Sequence, residues 1–384
     1  MTFRVPFLEL SRQWASVSSD VMAAVTETLS AGPYILGPRL ESFEGAFAEY
    51  CGTRHAIGVA TGTEAIRLGL QALGVGPGDE VITTPLTAAF TSLAVLLLGA
   101  RPVFADVDPA TYNIDPGSVR HVLTPRTKAI LPVHLHGRLA DIEALVEIAE
   151  EAGIPLLEDA CQAHGARRGE RRAGSWGTAG AFSFYPTKNL GGYGDGGMVV
   201  TDDDRLAKQL RMLRSGGQER RYWHVELGTA SRLDELQAAM LHAKLPHLEA
   251  WTTSRRRIAE RYDRALRELA LQLPPLASDG SHVFHLYVVR TSERDSLVSW
   301  LNERGIGTDV YYPHPLHLQP VFQHLGYIVG QLPQAEKASR ETLALPCYPD
   351  LRAEEQEAVC EAVAEFFNTA ASTSRKPHEH RYAL

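Results

Sequence analysis

Lys188 lies between an aromatic, strand-like run and a glycine-rich loop: Phe182-Ser183-Phe184-Tyr185-Pro186-Thr187-Lys188-Asn189-Leu190, then Gly191-Gly192-Tyr193-Gly194-Asp195-Gly196-Gly197. An amine used for covalent carbonyl chemistry must be partly desolvated and open to close approach. Apolar residues on one side and glycines on the other supply both conditions; the plain alternative is a surface lysine. Asp159 ends the short apolar run Ile154–Glu158. A carboxylate there reads either as a helix cap or as an acid placed to hold a proton on a heterocyclic nitrogen. Thr61-Gly62-Thr63-Glu64-Ala65 follows another apolar run and opens a helix-like segment. Such a turn presents free backbone N–H groups and a positive dipole end to a phosphate, or is an ordinary capped turn.

These residues fall where an α/β sheet places its ligands, just past strand ends. The runs His55–Ala60, Glu80–Thr84, Pro102–Asp106, Lys128–Val133 and Ile154–Glu158 read as strands. Between them Glu64–Leu73, Thr87–Leu98, Pro116–Leu123 and Asp141–Ala152 carry helical periodicity. Strands alternating with helices of this length predict βαβ units and a largely parallel sheet covered on both faces. Further on, Arg205–Arg214, Leu233–Lys244 and Leu248–Leu269 read as helices. The run His282–Arg290 reads as a strand, Arg294–Glu303 as a helix, Gly307–Tyr312 as a short strand and Ala353–Phe367 as a closing helix. The expected organisation is an N-terminal segment and large domain over residues 1–247, a smaller α/β domain over 248–368, and a polar, disordered tail over 369–384.

At 384 residues the chain exceeds what one compact core usually holds, which agrees with two domains. A net charge of -8 argues against nucleic acid as a partner, since phosphate backbones demand a basic surface. The arginine pairs Arg167-Arg168, Arg171-Arg172 and Arg220-Arg221, and the triplet Arg255-Arg256-Arg257, are short and separated, and are expected mostly on solvated faces. Cys51, Cys161, Cys347 and Cys360 have no CxxC-type spacing, so neither a metal site nor a disulfide framework is expected. Residues 1–10 lack the basic-then-apolar pattern of a signal peptide. The longest apolar run, Leu93–Ala100, falls short of the roughly 18 residues that span a bilayer. A cytoplasmic protein with no membrane association is the expectation.

The chain resembles the sugar aminotransferases, fold-type-I pyridoxal-phosphate (PLP) enzymes that act on nucleotide-linked keto-sugars. The resemblance runs from about Val5 to Phe367. It is carried by Gly32-Pro33-Tyr34-Ile35-Leu36-Gly37-Pro38, Gly62-Thr63-Glu64-Ala65, Gly78-Asp79-Glu80-Val81, Glu158-Asp159-Ala160-Cys161-Gln162-Ala163-His164-Gly165-Ala166, the Ser183–Lys188 run, Ser231-Arg232-Leu233-Asp234-Glu235-Leu236-Gln237, and Tyr312-Pro313-His314-Pro315-Leu316-His317. It implies that Lys188 holds the cofactor as a Schiff base and shuttles the substrate proton, and that Asp159 pairs with the pyridinium nitrogen. Gln162 then faces the phenolic oxygen, and Gly62, Thr63 and Ser183 cradle the phosphate. Tyr34, Arg232, Tyr312 and His317 line the sugar side, some of them supplied by the second subunit of a homodimer with shared sites. L-glutamate is the implied amino donor and pyridoxamine phosphate the second cofactor form.

Two positions depart from the family pattern. Ala88 replaces the large aromatic that stacks on the cofactor ring, which leaves Phe90 as the candidate ring from nearby. Ala230 replaces an asparagine that reaches the partner's phosphate site; one neutral hydrogen bond is worth about 0.5–1.5 kcal/mol. The residues also leave open an aminocyclitol aminotransferase, with the same chemistry on a keto-inositol, and a non-catalytic ligand-binding or regulatory relative. A dehydratase of the same fold would carry histidine in place of Lys188. The glycine-rich loop and the surroundings of Gln162 favour amination at carbon 3.

Overall fold

The computed structural model describes residues 3–373. Helix α1 (Leu10–Ala31) starts at Glu9, whose carboxylate accepts from Ser11 N, and α2 (Pro38–Cys51) ends on the left-handed Gly52. Strand β1 (His55–Val59) then leads directly into α3 (Gly62–Ala72). Strand β2 (Glu80–Thr83), helix α4 (Ala89–Leu96), β3 (Arg101–Phe104), α5 (Pro116–Val122), β4 (Thr127–Ile130), α6 (Ile142–Ala152) and β5 (Leu157–Asp159) give the expected alternation. A small hairpin of β6 (Arg167–Arg168) and β7 (Arg171–Arg172) interrupts it before β8 (Ala179–Ser183) and β9 (Gly197–Thr201).

The sheet has a four-stranded part, β1-β9-β8-β5, and a three-stranded part, β3-β2-β4. Bridges Ile130↔Leu156 and Val133↔Asp159 join them, so β4 lies beside β5. Only β9 runs antiparallel to the others. Every residue of β2, β5, β8 and β9 is buried, as expected of strands covered on both faces. One face packs Ile57, Leu68, Val81, Val199 and Leu210 under α3 and α7 (Asp204–Leu213). The other packs Phe43, Phe47, Phe182, Phe184 and Leu241 under α2 and α8 (Glu235–Lys244). Between α7 and α8 the short strands β10 (Gln218–Arg220) and β11 (Trp223–His224) form an exposed hairpin.

Helix α9 (Leu248–Leu266), β12 (Tyr287–Arg290), α10 (Arg294–Glu303), α11 (Pro333–Glu341), β13 (Thr342–Leu345) and α12 (Ala353–Thr373) complete the chain. Apart from α11, whose Ala335 and Ala338 pack with Phe104 and Phe322, these elements meet in a second core of Tyr262, Tyr287, Val289, Leu297, Leu343 and Val359, which Val5 also enters from the N-terminal segment. Strand β12 is shorter than the sequence run suggests, because residues 282–286 leave extended geometry, with Phe284 at a positive φ of 45° and a bend at residues 285–286. Gly307–Tyr312 is not a strand. Ile306 pairs only with Val5 and Asp309 only with Ala344, so two different neighbours each give a single bridge and no ladder forms. Helix α12 continues to Thr373, so residues 369–373 are helical and not tail; the rest of the expected tail lies outside the described residues. Among those described, no helix is long and apolar enough to cross a membrane.

Candidate active site

A cavity of about 750 Å³ opens where the C-terminal ends of β1, β5 and β8 meet the second core. It is lined by Gly62, Thr63, Phe90, Asp159, Gln162, Ser183, Lys188 and Tyr312, together with Arg255 and His285. Residues distant in sequence thus converge because the parallel strands all end at one edge.

Asp159 is the last residue of β5 and only 3% exposed. Its backbone is fixed on both sides, the N–H donating to Pro132 O at 2.8 Å and the carbonyl accepting from His134 N at 3.0 Å. Oδ2 accepts from Thr91 Oγ1 at 2.8 Å and Oδ1 from Cys161 N at 3.2 Å. Thr91 in turn touches Thr87 Oγ1 at 3.2 Å. Turns and not a helix follow Asp159, so this carboxylate caps no helix.

Lys188 sits in the turn after β8, its N–H donating to Tyr185 O at 2.9 Å. Among the described residues no group bonds or pairs with its Nζ. Burial holds the ammonium below the ordinary lysine range, against the opposing influence of Cys161 and Asp159. The same burial pushes the Cys161 thiol well up, so it stays protonated. An amine that is desolvated, unpaired and facing a carboxylate is prepared for nucleophilic and proton-transfer work.

Helix α3 begins at the same edge. Thr61 caps it, Oγ1 accepting from Glu64 N at 3.1 Å, and the first-turn amides have no acceptor within the helix. Gly62 is required by contact: a Cβ there would lie 2.6 Å from Ser183 Cβ and 3.0 Å from Cys161 Sγ. Gly197 plays the same part from β9, where a Cβ would fall 2.2 Å from Thr61 O. The helix end is thereby brought against Ser183.

On the opposite wall Gln162 has a fixed orientation. Its Oε1 accepts from His136 N at 2.7 Å and its Nε2 donates to Tyr312 Oη at 3.1 Å. His285 is buried with Nδ1 3.1 Å from Asn189 Oδ1, and burial holds its pKa well below the usual histidine range, so the ring is neutral. Phe90 stands at the mouth, 62% exposed, next to Ala88.

Three residues named from the sequence are elsewhere in this chain. His317 is buried with Nε2 3.2 Å from Glu336 Oε1, outside the cavity. Tyr34 is 53% exposed with its hydroxyl on Leu29 O. Its backbone and that of Ile35 are tied to the Asp234-Glu235 segment, close to Arg232, and neither Tyr34 nor Arg232 lines the cavity. Thr87, Thr91, His285 and Arg255 were missed by sequence reading. Only Thr91 carried a signal, as a polar residue in the otherwise apolar segment around Leu93. Arg255 also departs from the expectation of a solvated face, being 4% exposed.

The residues present fit PLP. A phosphate can take the open α3 amides beside Ser183, a ring nitrogen can face Asp159, and an aldehyde carbon can meet the unpaired Lys188 amine. The cradle is too tight for a Cβ at position 62, which leaves the helix end to the ligand.

Comparison with known proteins extends this. The family model described as DegT/DnrJ/EryC1/StrS aminotransferase matches residues 16–364. A Geobacillus stearothermophilus relative named pleiotropic regulatory protein is 49% identical, over 94% of this chain and 98% of its own. The dTDP-3-amino-3,4,6-trideoxy-alpha-D-glucose transaminase of Streptomyces venezuelae is 46% identical, over 95% of this chain and 97% of its own. The crystal structure of S. venezuelae DesV in complex with a ketimine intermediate superposes with a TM-score of 0.93 at 46% identity, covering 95% of this chain and 99% of that one. The chain therefore belongs to the DegT/DnrJ/EryC1/StrS aminotransferase family and is an aminotransferase whose cofactor is pyridoxal phosphate.

Proposed function

We propose that the protein transfers an amino group from an α-amino acid, L-glutamate in the first instance, to carbon 3 of a nucleotide-linked keto-sugar. The observation that carries this reading is the desolvated, unpaired Lys188 amine facing an Asp159 carboxylate held by Thr91 and Cys161 N. The S. venezuelae relative, named for a 3-amino sugar, supports the choice of acceptor and carbon.

Bound PLP supplies an electrophilic carbon and a ring that takes up electron density from the bond being broken. Asp159 would keep a proton on the ring nitrogen, which its anionic form favours. Lys188 Nζ would move the proton at the substrate carbon, and its lowered pKa favours the neutral amine. Gly62, Thr63 and Ser183 would hold the phosphate, Gln162 would face the phenolic oxygen with Tyr312 on the sugar side, and Phe90 would cover the ring from the mouth.

The working unit is a homodimer with shared sites, with residues 1–247 and 248–368 as its large and small domains, acting in the cytoplasm. The cluster Met22, Leu29, Tyr34, Ile35 and Leu36, each more than 40% exposed, supports a covered face there. Tyr34 and Arg232, outside their own chain's cavity, serve the partner's, while His317 is held by Glu336 and packs on Phe104 and Tyr327.

The test is to incubate the PLP-loaded enzyme with L-glutamate and dTDP-linked 3-keto and 4-keto sugars and locate the new amine by NMR. A 3-amino sugar is expected. Glutamate-dependent conversion of the cofactor with no amination of either sugar would reject the acceptor assignment.

A further inference from the structure

One ring on the cavity wall takes no part in the chemistry above. His285 lines the cavity with 9% of its surface exposed. Its Nδ1 lies 3.1 Å from Asn189 Oδ1, and Asn189 Nδ2 donates to Val283 O at 3.3 Å. Of the two ends of an amide only the nitrogen can face a carbonyl, so the Val283 contact turns the Asn189 oxygen toward the ring. Nδ1 therefore carries the hydrogen. The ring is uncharged, which leaves Nε2 as a bare lone pair. No group among the described residues bonds Nε2, and it is not one of the polar atoms sealed from solvent. The acceptor is open, and the cavity is the space that its residue borders.

The backbone around the ring is held from two sides. The His285 carbonyl accepts from Arg255 Nη1 at 3.2 Å, and Val283 N donates to Gly137 O at 2.9 Å. Gly137 permits that approach, since a Cβ there would lie 2.8 Å from His285 N. Asn189, which orients the ring, follows Lys188 in the chain, and Lys188 is the charged group that acts most strongly on the ring. Of the groups that the site receives, a phosphate, a phenolic oxygen and carboxylates offer lone pairs and cannot satisfy another acceptor. The cofactor's ring N–H faces Asp159. What remains to meet Nε2 is a hydrogen donor on the substrate, either a hydroxyl of the sugar or the amine in transfer.

We propose that His285 Nε2 accepts a hydrogen bond from an O–H or N–H that the substrate carries beside its reacting carbon. The proposal rests on the aminotransferase reading above and adds to that site a neutral anchor that the sequence did not reveal.

Two substitutions separate the two ring nitrogens. His285→Asn keeps an N–H near the Nδ1 position for Asn189 and leaves nothing at Nε2. His285→Gln sets an amide oxygen near the Nε2 position and gives up the Asn189 bond. Each half-reaction of the PLP-loaded enzyme is followed by stopped flow. His285→Asn should lose about tenfold in kcat/KM, the scale of one neutral hydrogen bond, while His285→Gln keeps most of it. A loss confined to the sugar half-reaction assigns a hydroxyl, provided that wild type but not His285→Asn favours a dTDP-linked 3-keto sugar over its 2-deoxy or 4-deoxy analogue. Equal loss in both half-reactions assigns the amine. Variants that do not differ, or that differ in the opposite order, overturn the proposal, because the ring then serves only to brace Asn189. Should neither variant fold, nitrogen–proton NMR of wild type decides. It should show His285 protonated at Nδ1 alone, with the Nε2 resonance shifting when substrate binds; a ring protonated at Nε2, or a resonance that neither glutamate nor sugar moves, overturns the proposal. That measurement needs no turnover, so it can sink this proposal with the aminotransferase reading intact, whereas glutamate failing to convert the cofactor sinks both. If glutamate converts the cofactor and no sugar is aminated, the acceptor assignment fails alone and the glutamate half-reaction decides here.

Discussion

At the scale of single residues, the chemistry rests on an amine and a carboxylate that differ in how they are held. Among the described residues nothing bonds or pairs with the Lys188 amine, and burial is what lowers its pKa. Lys188→Ala should abolish turnover, and borohydride should no longer fix PLP to the chain; reduced cofactor mapped to another lysine would refute the assignment. Asp159 is held from both oxygens, so its replacement should disturb chemistry more than folding. Asp159→Asn keeps the shape but no longer favours a protonated ring nitrogen. We expect a folded protein with the glutamate half-reaction slowed more than ~10-fold, since one pKa unit corresponds to about 1.4 kcal/mol and more than one is at stake. Near-normal stopped-flow rates would reduce the carboxylate to an architectural role. Both residues were legible in the sequence because each sits where an apolar run meets a turn. Arg255 was not, since a charged triplet in a helix has the same pattern whether one member is buried or all are solvated.

At the scale of elements, the site depends on helix ends brought against strand ends. The strands β1, β2 and β5 and helices α3 and α6 were readable because period and breakers agreed. The antiparallel β9 was not, because a glycine-led apolar run does not state its direction. Gly307–Tyr312 misled because within it only Asp309 forms a bridge, with Ala344. The segment around α4 illustrates how an element serves the site without touching the ligand's reacting atoms. Thr91 in its first turn donates to Asp159 Oδ2 from a buried position. Thr91→Val keeps the volume and removes the bond. A hydrogen bond to a charged group is worth about 1.5–3 kcal/mol, so we expect kcat to fall roughly tenfold or more with the donor KM little changed. An unchanged kcat with reduced thermal stability would show that Thr91 serves packing only.

At the scale of the whole molecule, two properties follow from where charge and apolar surface lie. The first is acid lability. Burial holds His136 down to about 4 and His164 down to about 3, and holds His282 and His285 well below the usual range. A histidine depressed in the folded state binds its proton more readily when unfolded. Its contribution to stability is therefore full above about pH 6.5 and is lost as pH falls below that value, at about 1.4 kcal/mol per pH unit for each such group. Four of them should make the unfolding temperature drop steeply between pH 6.5 and 5, before most carboxylates titrate; a flat profile to pH 5 would show that these rings gain protons without unfolding. The second is the proposed sharing of sites between subunits, for which the separation of Lys188 from Arg232 is the motive. If Lys188 serves its own chain's site and Arg232 the partner's, neither Lys188→Ala nor Arg232→Ala homodimers hold an intact site. After subunit exchange, about half the dimers are mixed. In each mixed dimer one site carries both lesions and the other takes Lys188 from one chain and Arg232 from its partner. One intact site in every second dimer amounts to roughly a quarter of wild-type activity. If both residues belong to the same site of one chain, every site in every dimer carries a lesion and mixing restores nothing. Exchange demonstrated by tagged subunits, with activity remaining at the background of the parents, would remove the shared site while leaving the Lys188 chemistry in place.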